Sequence, residues 1–320
     1  MAIEYRVLGC TGCKVSSLCL GCMNFGGRTS EDDSVRIIHA ALDAGVNFID
    51  TANVYSNRGN SEIAVGKALA GGRRARVILA TKVHGRMGDG PNDYGNHRQT
   101  IFQQVDASLR RLQTDYIDLY QIHRPEAETP IEETLDALTD LVRAGKVRYI
   151  GSSTFPAWQL VESYWVSDRR NLARFVCEQP PYHLFDRRIE NEVLPACRRY
   201  GTAVIPWSPL AGGWLSGKYR RGAALPEVGR HLRQMENQAD PAVARRLDAV
   251  ERLVPLADAA GVPLSQLALA WNMQQRGVTA PIIGPRTMEQ LEDNLAAAAV
   301  HLDDALLGRI DEVCPKGEHI

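Results

Sequence analysis

No stretch of this 320-residue chain approaches the roughly 18–20 consecutive apolar residues of a membrane-crossing helix. The opening residues, Met1-Ala2-Ile3-Glu4-Tyr5-Arg6, lack the apolar core and small-residue cleavage pattern of a secretory leader. An excess of one charge is also missing: 37 basic residues face 38 acidic ones, a formal net charge of -1. A polyanion-binding protein normally carries a basic excess, so neither nucleic acid nor a membrane is an expected partner. Arg is used more than Lys, but the pairs Arg73-Arg74, Arg110-Arg111 and Arg187-Arg188 sit among acids or at expected helix ends and read as solvated faces. Seven cysteines, an odd number without an export pattern, point to free thiols in a reducing cytoplasm.

Four of the cysteines, Cys10, Cys13, Cys19 and Cys22, form two C-x-x-C pairs. Only five residues separate the pairs, whereas a zinc ribbon uses about 15–20. Cys19 and Cys22 lie in the apolar run Ser17-Leu18-Cys19-Leu20-Gly21-Cys22, which reads as a buried strand. Residues three apart on a strand point to opposite faces. The expectation is small apolar packing and no metal site.

A hairpin signal opens the chain, with Tyr5-Arg6-Val7 and Lys14-Val15 flanking a turn that contains Gly9, Thr11 and Gly12. Eight short apolar runs follow: 18–22, 46–50, 77–81, 117–121, 149–152, 176–179, 203–207 and 280–283. Between them lie stretches of 3.6 period at about 35–42, 62–69, 98–112, 131–143, 157–163 and 190–200. Ser30 with Asp33 makes a capping-box variant, Ser61 precedes the second helix, and Gly45, Gly145 and Gly201 follow helix ends. Further helices are expected at about 241–260 and 264–274, before the eighth strand, and at 288–298 and 303–313 after it. This alternation predicts an α/β fold, a (β/α)8 TIM barrel spanning residues 1–320 as one domain, with an N-terminal β-hairpin and extra C-terminal helices. A doubly wound open sheet is the rival, but no G-x-G-x-x-G follows the first strand. The longest irregular stretches, about 84–97 and 220–240, both follow expected strands and would overhang the active face.

A barrel demands that reactive residues stand at the C-terminal ends of strands. Asp50 ends the second expected strand, Tyr55 follows in its loop, Lys82 ends the third and His123 ends the fourth. Their chemistry is complementary. A carbonyl that accepts hydride develops alkoxide character and needs a proton donor, and a phenol holds its proton at neutral pH. An ammonium nearby eases proton release, a carboxylate fixes the ammonium, and an imidazole orients the carbonyl oxygen. Taken singly, the Asp reads as a helix cap, the Tyr as a half-buried loop aromatic, and the Lys and His as solvated or satisfied in the core. The argument rests on all four sharing one face.

These residues, in the motifs Asp50-Thr51-Ala52 with Tyr55, the strand-end Lys82, and Gln121-Ile122-His123-Arg124-Pro125, resemble the aldo-keto reductases. The resemblance runs from Gly21-Cys22-Met23-Asn24-Phe25-Gly26 to the last expected helix, and is nearest to bacterial members and relatives of potassium-channel β-subunits. It implies that Asp50, Tyr55, Lys82 and His123 form the catalytic tetrad and that NADPH is the cofactor. By the same resemblance Ser153, Thr154 (where the family has Asn) and Gln179 meet the nicotinamide carboxamide, and Trp207 stacks on its ring. In the stretch 208–219, Ser208, Leu210, Gly212 and Lys218 suit a pyrophosphate, small residues admitting backbone N–H groups and Lys218 adding a cation. That stretch imitates a P-loop, but Tyr219 stands where the Mg²⁺-binding Ser or Thr would be. The resemblance further implies that Gly284, Arg286 and Gln290 bind the adenosine 2′-phosphate, and Asp293 and Asn294 the adenine. A guanidinium at Arg286 favours NADPH over NADH.

The reading is a metal-free, NADP-dependent carbonyl reductase acting on a small-molecule aldehyde or ketone, with a ketosugar among the candidates and the oligomeric state open. Expected substrate-pocket residues are Met23, Phe25, Tyr55, His84, Arg86 and His123, with the loop after Tyr219. The alternative is an NADPH-binding redox-sensing or regulatory subunit with little turnover.

Overall fold

The computed structural model of the chain describes residues 3–224, 229 and 231–320. Two strands, β1 (Tyr5–Val7) and β2 (Lys14–Ser16), pair antiparallel as the expected hairpin. Eight more are all parallel: β3 (Cys19–Gly21), β4 (Phe48–Asp50), β5 (Ile78–Val83), β6 (Ile117–Ile122), β7 (Val147–Ser153), β8 (Phe175–Gln179), β9 (Ala203–Val204) and β10 (Ile282–Ile283). Their order, β10-β3-β4-β5-β6-β7-β8-β9, is that of a barrel wound once around. The last seam closes where Thr279 N donates to Val204 O at 2.7 Å and Ile282 N donates to Pro206 O at 2.8 Å. The chain is therefore a (β/α)8 barrel with an N-terminal hairpin.

The strands are buried on both faces, which is why they read as continuous apolar runs rather than alternating ones. Inside, Cys19, Phe48, Ala80, Leu119, Cys177, Ile205 and Ala280 fill the barrel. Leu8 and Val15 of the hairpin join that cluster and close the end opposite the functional face. Helices cover the outside, and their starts follow the sequence signals. Ser30 Oγ accepts from Asp33 N at 3.1 Å, and Asp240 and Asp303 cap Pro241–Ala259 and Asp304–Val313 in the same way. Gly145 takes a positive φ of 72° just past the helix Ile131–Arg143, where a Cβ would be strained.

The structure corrects two expectations. Ser61 is not a helix cap: Ser56, Asn57, Arg58 and Gly59 break the segment Tyr55–Leu69 with φ of 50°, 61°, 59° and 121°, and the regular helix after them covers the expected 62–69. Ser61 Oγ instead donates to Cys22 O at 2.7 Å and lies 2.7 Å from Thr51 Oγ1, tying the segment to two strand ends. The Arg pairs are not simply solvated. Arg74 pairs with Asp118 at 2.7 Å and Arg111 with the buried Glu62 at 2.6 Å. Arg187 is 1% exposed. Its guanidinium donates to Glu190 at 2.7 Å, to Asp311 at 2.7 Å and to Cys314 O at 2.6 Å, and lies 5.0 Å from the Trp271 ring centre. The stretch 84–97 folds back on itself against the loops after β4 and β6, at the face where the strands end. Gly95 N donates to His84 O and Asn96 N to Glu126 Oε2, each at 2.9 Å. The other stretch, 220–240, falls partly outside the described residues.

Arg187 fastens the C-terminal helix to the barrel, and removing it leaves Glu190 with only neutral donors, Tyr182 Oη at 2.6 Å and Gly317 N at 3.3 Å, and Asp311 with the exposed Lys316 at 3.1 Å. Arg187→Met is expected to cost about 3–5 kcal/mol, the usual loss when one partner of a buried ion pair is deleted. Urea denaturation measures it; a loss under about 1 kcal/mol would show that the network contributes little.

Candidate active site

Barrel register brings the candidate residues together. Asp50 is level with Gly21 and Ala80, Lys82 with Gln121, Gln121 with Gly151, and Ser153 with Gln179. Asp50, Lys82, Gln121 and Gln179 therefore share the barrel mouth. Lys82 is fully buried, and its Nζ donates to Asp50 Oδ1 at 2.5 Å and to Thr51 O at 2.9 Å. The other carboxylate oxygen, Asp50 Oδ2, accepts from both Gln121 Nε2 and Gln179 Nε2 at 3.0 Å. Each lone pair facing the interior is thus used, as a buried carboxylate requires. Gly151 makes room for Gln121: a Cβ there would sit 3.2 Å from Gln121 Cγ and 2.9 Å from Cys177 O.

Tyr55 stands above this pair. Its hydroxyl is 3.4 Å from Lys82 Nζ and 3.4 Å from His123 Nε2, and its ring meets the His123 ring edge-on at 5.5 Å. Burial draws the Lys82 pKa down, but Asp50 and Tyr55 raise it further, so the amine remains an ammonium. Burial dominates at His123, with the charges of Lys82 and Arg124 acting in the same direction. Together they hold its pKa at about 2, so the imidazole is neutral across the physiological range.

These groups form the floor of a cavity of about 710 Å³. Asp50, Tyr55, His123 and Gln179 lie at one end, with Trp207, Ser208, Leu210, Gly212 and Lys218 beyond them. Gly284, Arg286, Gln290, Asp293 and Asn294 line the far end. A volume of this size suits an extended dinucleotide with space left for a small substrate. At the far end Thr287 caps the helix Met288–Ala296, and Gln290 Oε1 accepts from Arg286 N at 2.9 Å. The Arg286 guanidinium has no carboxylate partner among the described residues. Gly284 has no atom within 4 Å of where a Cβ would stand, an open ledge for a ligand. Asp293 is held by Gln266 Nε2 at 2.8 Å. The donor set, cationic at one end and amide-rich at the other, fits a nicotinamide dinucleotide.

Ser153 and Thr154 do not line the cavity but brace its wall. Ser153 Oγ donates to Gln179 O at 2.9 Å, and Thr154, at φ 63°, accepts on Oγ1 from Arg124 Nη1 at 3.0 Å and Trp207 Nε1 at 3.4 Å. Of the expected substrate-pocket residues, Met23, Tyr55 and His123 line the cavity. Phe25 is fully buried in the core, His84 turns to Asn96 at 3.3 Å and Glu126 at 3.4 Å, and Arg86 stacks on Tyr94. Sequence reasoning missed Gln121, although it stands in a motif already noted, and Arg28 and Arg124, which also line the cavity. A Gln two residues before His123, in a mostly apolar strand, was the available signal. Cys10 is exposed and Cys13 half-buried on the hairpin, whereas Cys19 and Cys22 are buried in the barrel. Among the described residues no group of three His, Cys, Asp or Glu is placed to hold a metal ion.

Neutral His123 has a thermodynamic signature. Below pH 6.5 the unfolded chain takes up a proton that the folded one refuses, so this contribution to stability is lost as pH falls from 6.5 toward 2. His123→Gln is expected to lose less stability than wild type between pH 7 and pH 5, by about 1–2 kcal/mol. Parallel urea titrations at the two pH values would expose an error as equal losses.

Residues 17–314 match the Aldo/keto reductase family. The chain is 43% identical over 322 residues to "Uncharacterized oxidoreductase YrpG" of Bacillus subtilis (strain 168), covering 98% of this chain and 96% of that protein. It is 37% identical to "Probable voltage-gated potassium channel subunit beta" of Arabidopsis thaliana, over 97% of this chain and 96% of the relative. It is also 34% identical to "Versiconal hemiacetal acetate reductase" of Aspergillus parasiticus, over 99% of both. A parallel barrel whose strand ends carry this constellation, matched over nearly its whole length, places the chain in the Aldo/keto reductase family, oxidoreductases that reduce carbonyl groups with a nicotinamide cofactor.

Proposed function

We propose that the chain reduces an aldehyde or ketone with NADPH, and that the Tyr55 hydroxyl donates the proton. The observation that carries this reading is the Tyr55 hydroxyl held 3.4 Å from both an ammonium and a neutral imidazole at the floor of the large cavity. The bound nicotinamide supplies hydride to the carbonyl carbon. Tyr55 and His123 receive the carbonyl oxygen, Tyr55 giving its proton as negative charge develops there. The Lys82 ammonium stabilises the phenolate that remains, and Asp50 with Gln121 and Gln179 keeps that ammonium in place. Neutral His123 orients the oxygen without competing as a charged acid.

Support for NADPH comes from the cation and glycine content of the far end of the cavity. Arg286 offers a planar fork to the 2′-phosphate. Gln179 already donates to Asp50, which leaves its Oε1 to accept from the carboxamide. The channel-subunit relatives favour a second reading, a cofactor-binding regulatory subunit. The complete tetrad favours turnover. Loss of NADPH absorbance with 4-nitrobenzaldehyde separates the two, and a carbonyl panel that includes nucleotide-linked ketosugars then addresses the substrate.

Tyr55→Phe deletes only the hydroxyl. Turnover is expected to fall by about 10²–10⁴, the usual worth of a general acid, with NADPH affinity held within a few-fold. Single-turnover hydride transfer is the measurement, and near wild-type rates would refute the mechanism. Arg286→Ala should weaken NADPH by about 1.5–3 kcal/mol, the range for a charged hydrogen bond, while leaving NADH almost unchanged. Binding titrations with both nucleotides check this, and equal losses would remove Arg286 from cofactor selection.

A further inference from the structure

Glu178 is a carboxylic acid in a place built for apolar side chains. On β8 its neighbours Cys177 and Gln179 turn into the barrel, whereas Glu178 turns outward beneath the helices and is fully buried. Desolvating a carboxylate there is costly, so its retention asks for a reason. Its side-chain bonds converge on one segment. Glu178 Oε2 accepts from Ser152 Oγ at 2.5 Å, and Oε1 accepts from Phe155 N at 3.1 Å. The Thr154 amide, which donates to Gln179 O at 3.1 Å, also acts on the carboxylate. Between these anchors Thr154 holds φ at 63°, a strained conformation for a β-branched residue. Successive amides around a left-handed residue form a concave nest for an anion, and here the anion is a side chain of the neighbouring strand.

We infer that Glu178 is a positioning residue for the nicotinamide end of the cofactor: its carboxylate holds the Ser152–Phe155 turn in the form that presents Ser153 and Thr154 beside Gln179 and Trp207. The inference rests on the proposed NADPH site and adds a residue that does not touch the cofactor. It also makes cofactor affinity depend on the charge of Glu178. Burial raises the Glu178 pKa to about 7, against the opposing pull of the Ser152, Phe155 and Thr154 bonds and the Arg124 charge. The groups that face it are Arg124 from the loop after β6, Tyr164 from the helix Ala157–Arg170, Cys177 on β8 and Cys197 on the helix Val193–Tyr200. Burial raises the pKa of Tyr164, Cys177 and Cys197, so these three stay neutral while Glu178 titrates. Protonation leaves one good acceptor where there were two and loosens the turn.

Stability and affinity then respond to pH in opposite directions. Between pH 4.5 and 7 the unfolded chain ionises at this position before the folded one, so the Glu178 contribution to stability falls as pH rises through that window. Cofactor affinity rises over the upper part of the same range as the carboxylate forms.

The test is NADPH binding to the full chain, followed by quenching of tryptophan fluorescence from pH 6 to 8.5, with melting temperatures of the cofactor-free proteins measured alongside. At pH 8, Glu178→Gln should bind NADPH about 3–10-fold more weakly, the worth of one hydrogen bond, while melting no lower than wild type. The wild-type rise in affinity around pH 7, beyond what both proteins share from the 2′-phosphate, should be absent from the variant. Ser152→Ala, which removes a bond that favours the charged form, should move the wild-type inflection to higher pH and decides the question if Glu178→Gln does not fold. Wild-type affinity in Glu178→Gln at pH 8, superimposed pH profiles, or an unmoved inflection in Ser152→Ala would overturn the inference alone. Absence of NADPH binding by the wild type would overturn the cofactor reading and this inference with it.

Discussion

The ion pair between Asp50 and Lys82 is the constraint around which the functional end of this barrel is arranged. Both side chains are withdrawn from water, and a buried pair of this kind is tolerated only where the remaining lone pairs and protons are satisfied. Satisfying them draws in four strands. Asp50 comes from β4, Lys82 from β5, Gln121 from β6 and Gln179 from β8, while the Thr51 carbonyl takes a further Lys82 proton. A slip of one residue in any of these strands would turn its polar side chain into the helix layer and an apolar one into the mouth. The chemistry and the register of the barrel therefore enforce one another.

Charge is sorted across the barrel wall. On the cavity side the accessible cations Arg28, Arg124 and Arg286 line the groove together with Lys218. Behind the wall, Glu62 and Glu178 are fully buried carboxylates that hold loop and strand ends, Glu62 through Thr81 and Arg111, Glu178 through the turn after β7. This places positive potential where an anionic nucleotide would lie and uses negative charge as internal bracing. The family relationship, which covers nearly the whole chain, fits that division. A relative named as an oxidoreductase and relatives named as channel subunits are each similar to this chain over nearly its whole length, so the scaffold alone does not name a function.

The local backbone carries strain at the edges of the site. Ser56, Asn57 and Arg58 follow Tyr55 in a left-handed turn, and Thr154 and Ser208 take positive φ near Gln179 and Trp207. Two of them are fixed from outside: Ser56 Oγ donates to Met23 O at 3.0 Å, and Thr154 Oγ1 accepts from Arg124 while Phe155 N next to it donates to Glu178. Such conformations persist only where surrounding contacts over-determine them, and their clustering here marks the rigid frame of the active site.

The sequence by itself determined the barrel and the identity of its mouth. Short apolar runs alternating with 3.6-period stretches have few solutions other than a parallel barrel, and a polar residue directly after such a run must emerge at the C-terminal face. That is why Asp50, Lys82 and His123 stand out from the pattern alone, whereas Gln179, Trp207, Arg286 and Gln290 stand out only through the resemblance to the aldo-keto reductases. Tertiary structure decided which buried polar groups meet. Arg187 reads as a surface residue because its partners Asp311 and Cys314 lie more than a hundred positions away. Gln121 reads as a strand residue until Asp50 is seen beside it, and Glu178 reads as the approach to Gln179 until the turn after β7 closes over it. Phe25 and Ser61 were misread for the same reason. Periodicity fixes the face on which a side chain stands, but burial and partnership depend on contacts between segments distant in the chain, and those exist only once the barrel has closed.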